Sequence, residues 1–244
     1  DIFEAGEVLK AEVTRPESLQ NSCKNIDAVI STIGITRQKD GLTYMDVDYQ
    51  ANMNLLSEAG KSGVKKFIYV SVLNGERLKH LKICEAKEKF VKALERSGLK
   101  CSVIRPNGFF SDMREFYSMA LKGRIYLFGD GKLRSNPIHG EDLAKVCVDA
   151  VETENSEIRV GGPQTLTQNE IAAIAFEASG NEKKITYMPD WIRRFILRSV
   201  RMVLPQKVYG PLEFFLTVMA MDMIAPEYGE NTLNRFFKGL AKLP

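Results

Sequence analysis

Three apolar runs in this chain end in residues able to touch a ligand. Residues 27–35, DAVISTIGI, carry the Thr32 hydroxyl two positions before Gly34, whose bare backbone lets a ligand approach closely. Residues 67–72 end at Ser71 and Val72, and residues 101–104 lead into Arg105-Pro106-Asn107-Gly108-Phe109. Pro106 supplies a carbonyl without a competing amide hydrogen. In open α/β sheets ligands bind outside the carboxyl ends of strands, so the chemistry belongs at these three ends. Other chemistries thin out. Two histidines, His80 and His139, exclude a multi-histidine metal centre, and the reading assigns no metal. Cys23, Cys84, Cys101 and Cys147 are scattered without a C-x-x-C pair and read as small core residues of a reducing compartment.

The elements that must position these ends follow from the apolar pattern. Residues 66–110 read as strand, helix, strand. The run at 67–72 is rich in β-branched and aromatic residues, as suits a strand buried on both faces of a parallel sheet. Ser97-Gly98 closes a helix of roughly five turns, because glycine accepts the left-handed conformation of a helix end. Upstream, the pattern predicts a strand at 8–13, a short helix at 16–24, the strand at 27–35 and a helix at 47–62 closed by Gly63. The order β, α, β, α, β, α, β is that of an α/β, doubly wound parallel sheet.

After Phe110 the pattern changes. A helix is expected at 112–122, a strand at 124–128, a tight turn at Asp130-Gly131 and a helix at 141–152. His139 reads as structural, pinning the turn to the start of that helix. A short strand at 158–160 breaks at Gly161-Gly162-Pro163, and Thr167 with Glu170 has capping-box spacing. These elements alternate too irregularly to extend the sheet, and read as a smaller lobe over the strand ends. Residues 191–204, WIRRFILRSVRMVL, hold four arginines and no acid. They read as a packed helix with a basic edge, as a peripheral membrane contact, or as the lining of an apolar pocket. Residues 212–225 carry Glu213 and Asp222 and read as a buried or dimer-forming helix.

Composition sets the outer bounds. The 244 residues suit one large α/β domain or a nucleotide domain with a smaller partner, and 44% apolar with 27% charged residues is ordinary for a globular protein. A net charge of +3 gives no argument for nucleic acid. There is no secretory signal and no charge-free run of about 18 residues, so no spanning segment is expected.

Six stretches then carry a family resemblance: DAVISTIG, the D-x-D-Y-Q-x-N-x-N-L-L helix from Asp46 to Leu56, GVKKFIYVSV, AKEKFVKALERSGL, VIRPNGFF and FGDGKLRSNPIHGEDLA. In this order they resemble the NmrA-like branch of the atypical short-chain dehydrogenase/reductases. GGPQTLTQNEIA and YGENTLNRFF resemble a narrower group that includes the divinyl chlorophyllide 8-vinyl reductases. The resemblance implies a Rossmann-type domain over 1–110, a substrate lobe over 111–244 with part of 124–162 packing back on the sheet, and NADP, or NAD, as cofactor. It implies a bulky apolar small-molecule substrate and a cytoplasmic location, or a plastid stroma in a photosynthetic eukaryote. The oligomeric state stays open.

Carried over residue by residue, it places Thr32, Ile33 and Gly34 against the adenosine and pyrophosphate side of the cofactor. It places Ser71, with Val72 beside it, at the catalytic serine position. Pro106, Asn107 and Phe109 fall against the nicotinamide. The Lys of the superfamily's Tyr-x-x-x-Lys pair falls on Lys87, where it would hold the ribose hydroxyls. Ile83 stands where the Tyr belongs, so the usual proton donor is absent. That suits hydride transfer to an activated carbon–carbon double bond, with protonation from solvent or another group. It suits equally a cofactor-binding sensor or assembly-type protein without catalysis. Such a sheet normally opens with a strand, a glycine-rich turn and a helix. None stands near Asp1, and roughly 60–80 residues, the size of two βα units, are expected upstream. Without that turn the chain is expected to bind cofactor weakly.

Overall fold

The computed structural model describes residues 6–36 and 41–242. Residues 1–5, where the pattern opens, lie outside the described residues. The central sheet is built from β1 (Ala28–Ser31), β2 (Lys66–Val70), β3 (Lys100–Pro106) and β6 (Glu157–Val160), in the order β1-β2-β3-β6 with every pair parallel. β2 is central because both its faces are apolar. Phe67 and Tyr69 pack with Phe90, Val91 and Leu94 of α2 (Lys82–Glu95) and with Leu56 and Ala59 of α1 (Asn52–Lys61). Ile68 and Val70 face the other way, onto Leu143, Val146 and Cys147 of α4 (Gly140–Asp149). The sheet is therefore covered on both sides, as the sequence implies. Each fully buried aromatic on it contributes about 1.5–3 kcal/mol. Gly63 and Gly98, at φ 72° and 81°, end α1 and α2 in the left-handed region.

The remaining elements form a second core. α3 (Arg114–Leu121), β4 (Ile125–Phe128), α5 (Gln168–Ser179), β8 (Ile185–Met188) and α8 (Leu233–Leu240) enclose Phe116, Ile125, Phe176, Leu233 and Phe237. β4 pairs with β8 in parallel, and β5 (Arg134–Ser135) pairs with β7 (Leu166–Thr167) antiparallel. α5 opens on the expected capping box of Thr167 and Glu170. His139 caps α4, its Nδ1 accepting from the Glu141 amide at 3.3 Å, as its structural reading requires. Two further helices, α6 (Asp190–Val203) and α7 (Gln206–Val218), make a hairpin.

Four expectations need correction. No strand forms at 8–13; Val8 and Leu9 are exposed, because a strand needs a pairing partner as well as a suitable sequence. The helix expected at 16–24 is a single 3-10 turn, Pro16–Leu19. The elements after Phe110 do extend the main sheet: β6 docks beside β3, its charged Glu157 neutralised by Arg105. The helix expected across 212–225 stops at Val218. Beyond it Asp222 accepts from the Arg134 amide, and Met223 bridges to Ser135.

Candidate functional site

The site is built where β1 meets two helices. After Ser31 the chain leaves the sheet, and Asn52 catches it. The Ser31 hydroxyl donates to Asn52 Oδ1 at 2.6 Å, and Asn52 Nδ2 donates to the carbonyl of Ile33 at 3.2 Å. Asn52 reaches because the preceding turn, Met45–Ala51, is a π-helix, whose wider backbone leaves the carbonyls of Val47 and Asp48 for the same amide. π-Turns of this kind concentrate at functional sites. The Ile35 amide donates to Asp48 Oδ2 at 3.3 Å. Thr32 and Gly34 are thereby held exposed on a pinned loop.

Beneath Gly34 lies a buried ion pair. Lys87 Nζ is 3.0 Å from Asp48 Oδ1 and 5.5 Å from the centre of the Tyr69 ring. A Cβ on residue 34 would stand 2.8 Å from Asp48 Oδ1 and 2.9 Å from Lys87 Nζ, so any larger residue would push the pair aside. Burial works against the charge of Lys87, but Tyr69 and Asp48 outweigh it and hold the ammonium above its ordinary pKa. Burial likewise raises Asp48, and Lys87 pulls it back. Burial raises Tyr69 as well. Asp48 Oδ1 is buried with the Lys87 ammonium as its one partner, and the Tyr69 hydroxyl is buried without a hydrogen bond. This arrangement can present a permanent cation to a ligand's hydroxyls close to an exposed, side-chain-free backbone.

The other expected residues divide. Ser71 is buried, and its hydroxyl donates to Glu88 Oε1 at 3.3 Å, one residue from Lys87. Glu88 in turn holds Arg105, at 2.5 Å and 3.1 Å. Ile83 is buried with Leu78, Leu81 and Tyr44, and Val72, Phe214, Val218 and Met221 pack against that cluster. Ile83, where the sequence reading misses a tyrosine, thus stands in an apolar cluster. The Pro106 carbonyl accepts from the Leu73 amide at 2.9 Å. Asn107 Nδ2 donates to Asn136 Oδ1 and to the Met223 carbonyl, at 2.8 Å and 2.6 Å, while its Oδ1 takes the Gly108 amide. Phe109 is half-buried against the α4 side of the sheet. Among the described residues, the contacts of Pro106, Asn107 and Phe109 run to the sheet and the lobe, and none reaches Gly34 or Lys87.

Sequence reasoning missed Asp48, Asn52 and Tyr69 as site residues. The sequence holds only the spacing of Asp48 and Asn52, four apart on one helical face; the structure adds that both are fully buried. The cysteines are free; Cys23, Cys84 and Cys147 are buried, with burial pushing the Cys84 thiol up to about 12 and that of Cys147 to about 11.

Residues 3–154 match the family model described as NAD(P)H-binding. The chain belongs to this family. It is 27% identical over 200 residues to the photosystem II assembly factor Ycf39 of a Synechocystis strain, covering 80% of this chain and 60% of that protein. It is 28% identical over 269 residues to the chloroplastic divinyl chlorophyllide a 8-vinyl-reductase of Arabidopsis thaliana, covering 96% of this chain and 64% of that one. The chain thus spans less than two thirds of either relative. Among solved structures, an NADPH-dependent quinone oxidoreductase of Escherichia coli complexed with NADPH superposes with a TM-score of 0.67 at 16% identity, covering 95% of this chain and 82% of that one. A nucleoside-diphosphate-sugar epimerase of Staphylococcus aureus gives 0.67 at 15% identity, covering 93% and 82%. These likenesses confirm the Rossmann-type α/β fold. Among the described residues no helix is long and apolar enough to cross a membrane.

Proposed function

We propose that this protein is an NADP(H)-dependent reductase, with NAD(H) as the second choice, acting on a bulky apolar small molecule. The observation that carries the reading is the Lys87 ammonium, charged and 12% exposed under the exposed Gly34 backbone at the carboxyl end of β1. The Tyr69 hydroxyl beside it is buried without a hydrogen bond, which marks a polar site with hydrogen-bonding capacity to spare, and the residues fit a nicotinamide dinucleotide there. A bound reduced nicotinamide supplies a hydride. The chain's own residues do the rest. Lys87 holds ribose hydroxyls, while Thr32, Ile33 and Gly34 take the adenosine and pyrophosphate side. Ser71 and Val72 flank the reacting end, and Pro106, Asn107 and Phe109 form its far wall. Residues 1–110 serve the cofactor and 111–244 the substrate. The apolar surroundings of Ile83 favour a substrate whose reacting group is a carbon–carbon double bond, with the proton drawn from water. The identity to a divinyl chlorophyllide reductase supports a porphyrin-type vinyl group as that substrate. The buried free cysteines suit a reducing compartment, cytoplasmic or stromal.

A second reading is favoured by the same Ile83. With Ile83 in an apolar cluster against which Phe214 and Val218 pack, no proton donor stands at that position, and the protein would bind NADP(H) and signal or assemble without turnover. Similarity to an assembly factor supports it. The experiment uses protein from the complete reading frame, titrated with NADPH and NADH by nicotinamide fluorescence, followed by divinyl chlorophyllide and the pigment's absorption. Binding with a pigment shift supports the reductase. Binding without a shift moves the reading to another substrate or to the sensor, and no binding of either nucleotide overturns both.

A further inference from the structure

The hairpin of α6 and α7 presents an unusual surface. In α6 only Leu197 is buried. Trp191, Phe195 and Met202 are 60%, 64% and 74% exposed and stand at i, i+4 and i+11, so they form one stripe along the helix. Arg194, Arg198 and Arg201, also exposed, form the stripe beside it. The tip continues the pattern: all of residues 201–208, RMVLPQKV, are exposed, and Val203 is 78% so. Arg194 meets Asp190 at 3.2 Å and Arg201 meets the buried Glu213, while Arg198 has no partner among the described residues. The whole chain carries only +3, so this concentration of cations is local.

We infer that this hairpin docks on an anionic bilayer, its apolar stripe and tip entering the headgroup boundary while Arg198 and Lys207, its exposed cations without an acidic partner among the described residues, meet lipid phosphates. Charge and shape both select that occupant. Guanidinium groups alternating with exposed aromatic and aliphatic side chains match a surface that is apolar and negatively charged at once. The apolar residues cluster on an exposed turn between two helices. A protein partner would need a preformed groove to receive such a tip, whereas a bilayer yields to it. No described helix is long enough to span, so the hairpin lies on the membrane. The inference is independent of the reductase reading, because none of these residues belongs to the cofactor site.

The chain's one tryptophan is Trp191, so intrinsic fluorescence reads the proposed contact directly. Vesicles of phosphatidylcholine with phosphatidylglycerol should shift its emission to the blue, and brominated lipid should quench it. Arg198→Gln should weaken binding about fivefold, and raised salt should weaken it further. Met202→Asp with Val203→Asp, both at exposed positions, should remove quenching without changing thermal unfolding. An unshifted emission with the anionic vesicles overturns the inference, as does equal binding to phosphatidylcholine alone. A blue shift that grows with protein concentration in the absence of lipid also overturns it, and assigns the face to a second copy of the chain.

Discussion

Lys87 and Glu88 are neighbours on α2, yet they anchor two charged clusters of different character. Around Glu88 the bonding is nearly complete. Arg105 donates to both Glu88 oxygens, to Glu157 at 2.6 Å and to the Val72 carbonyl at 3.5 Å, and Arg159 braces Glu157 at 2.9 Å. Only Glu76 Oε2, 3.6 Å from Arg105, lacks a hydrogen bond. Around Lys87, among the described residues, there is one ion-paired carboxylate, Asp48, and one further buried oxygen, on Tyr69, without a hydrogen bond. A saturated cluster can only lose partners when it rearranges. An undersaturated one can take up a ligand's hydroxyls and gain. Arg105 is thus a fastener between strand and helix, and Lys87 is the group left able to respond.

The largest test of this contrast is Arg105→Ala. It strands the buried Glu88 without its cation and leaves Glu157 to Arg159 alone, and the loss should be about 3–5 kcal/mol. Chemical denaturation should show it as a lower midpoint with little change in slope. If the midpoint instead holds while cofactor binding fails, the two clusters have been assigned the wrong way round.

Lys87→Met should do less to the fold and more to binding. It leaves one buried carboxyl, Asp48, which can take up a proton, so the cost at neutral pH should be about 2 kcal/mol. The cost should also depend on pH. Burial already raises Asp48, and the variant removes the ammonium that opposes the shift. A carboxyl whose folded pKa lies above its unfolded value gives stability that is full below the unfolded pKa and is lost as pH rises through the folded one. The variant should therefore lag the parent most at neutral pH and approach it under acid. NADPH affinity should fall at least about tenfold at every pH. A pH-independent stability loss would mean that Asp48 does not sense Lys87.

The sheet was legible because β2 is apolar on both faces and α2 ends in a glycine, both local signals. β6 was harder. The sequence reads a short strand at 158–160 but not its place in the main sheet, which depends on Arg105, 52 residues from Glu157, bonding that glutamate. The 8–13 run shows the converse error, a strand-like sequence with no strand to pair against among the described residues. At the site, Gly34 and Lys87 were legible from the motifs. Asp48 was not, since an acid within a helix usually faces water, and only the sheet above shows that this one is buried. The tail motif YGENTLNRFF has a packing explanation. The Asn231 amide and side chain both donate to Asp142 of α4, and a Cβ at Gly229 would collide with that carboxylate. A stretch that suggested a substrate group is therefore also a clasp between the tail and the sheet.

The finest division falls on Ser71, which belongs to the saturated cluster by contact and to the responsive one by its place at the end of β2. Ser71→Ala removes one hydrogen bond, at 3.3 Å, to a carboxylate that Arg105 still holds. If that bond is its whole role, stability should fall by about 0.5–1 kcal/mol and NADPH affinity should not change. If the hydroxyl turns toward a bound substrate, stability should fall as little, but turnover should drop at unchanged cofactor affinity, and Ser71→Thr should restore part of it. Separate measurement of unfolding, NADPH binding and turnover on the two variants then assigns Ser71 to one cluster. The buried position of the hydroxyl favours the first outcome, because reaching a substrate requires it to leave Glu88 and turn about its Cα–Cβ bond.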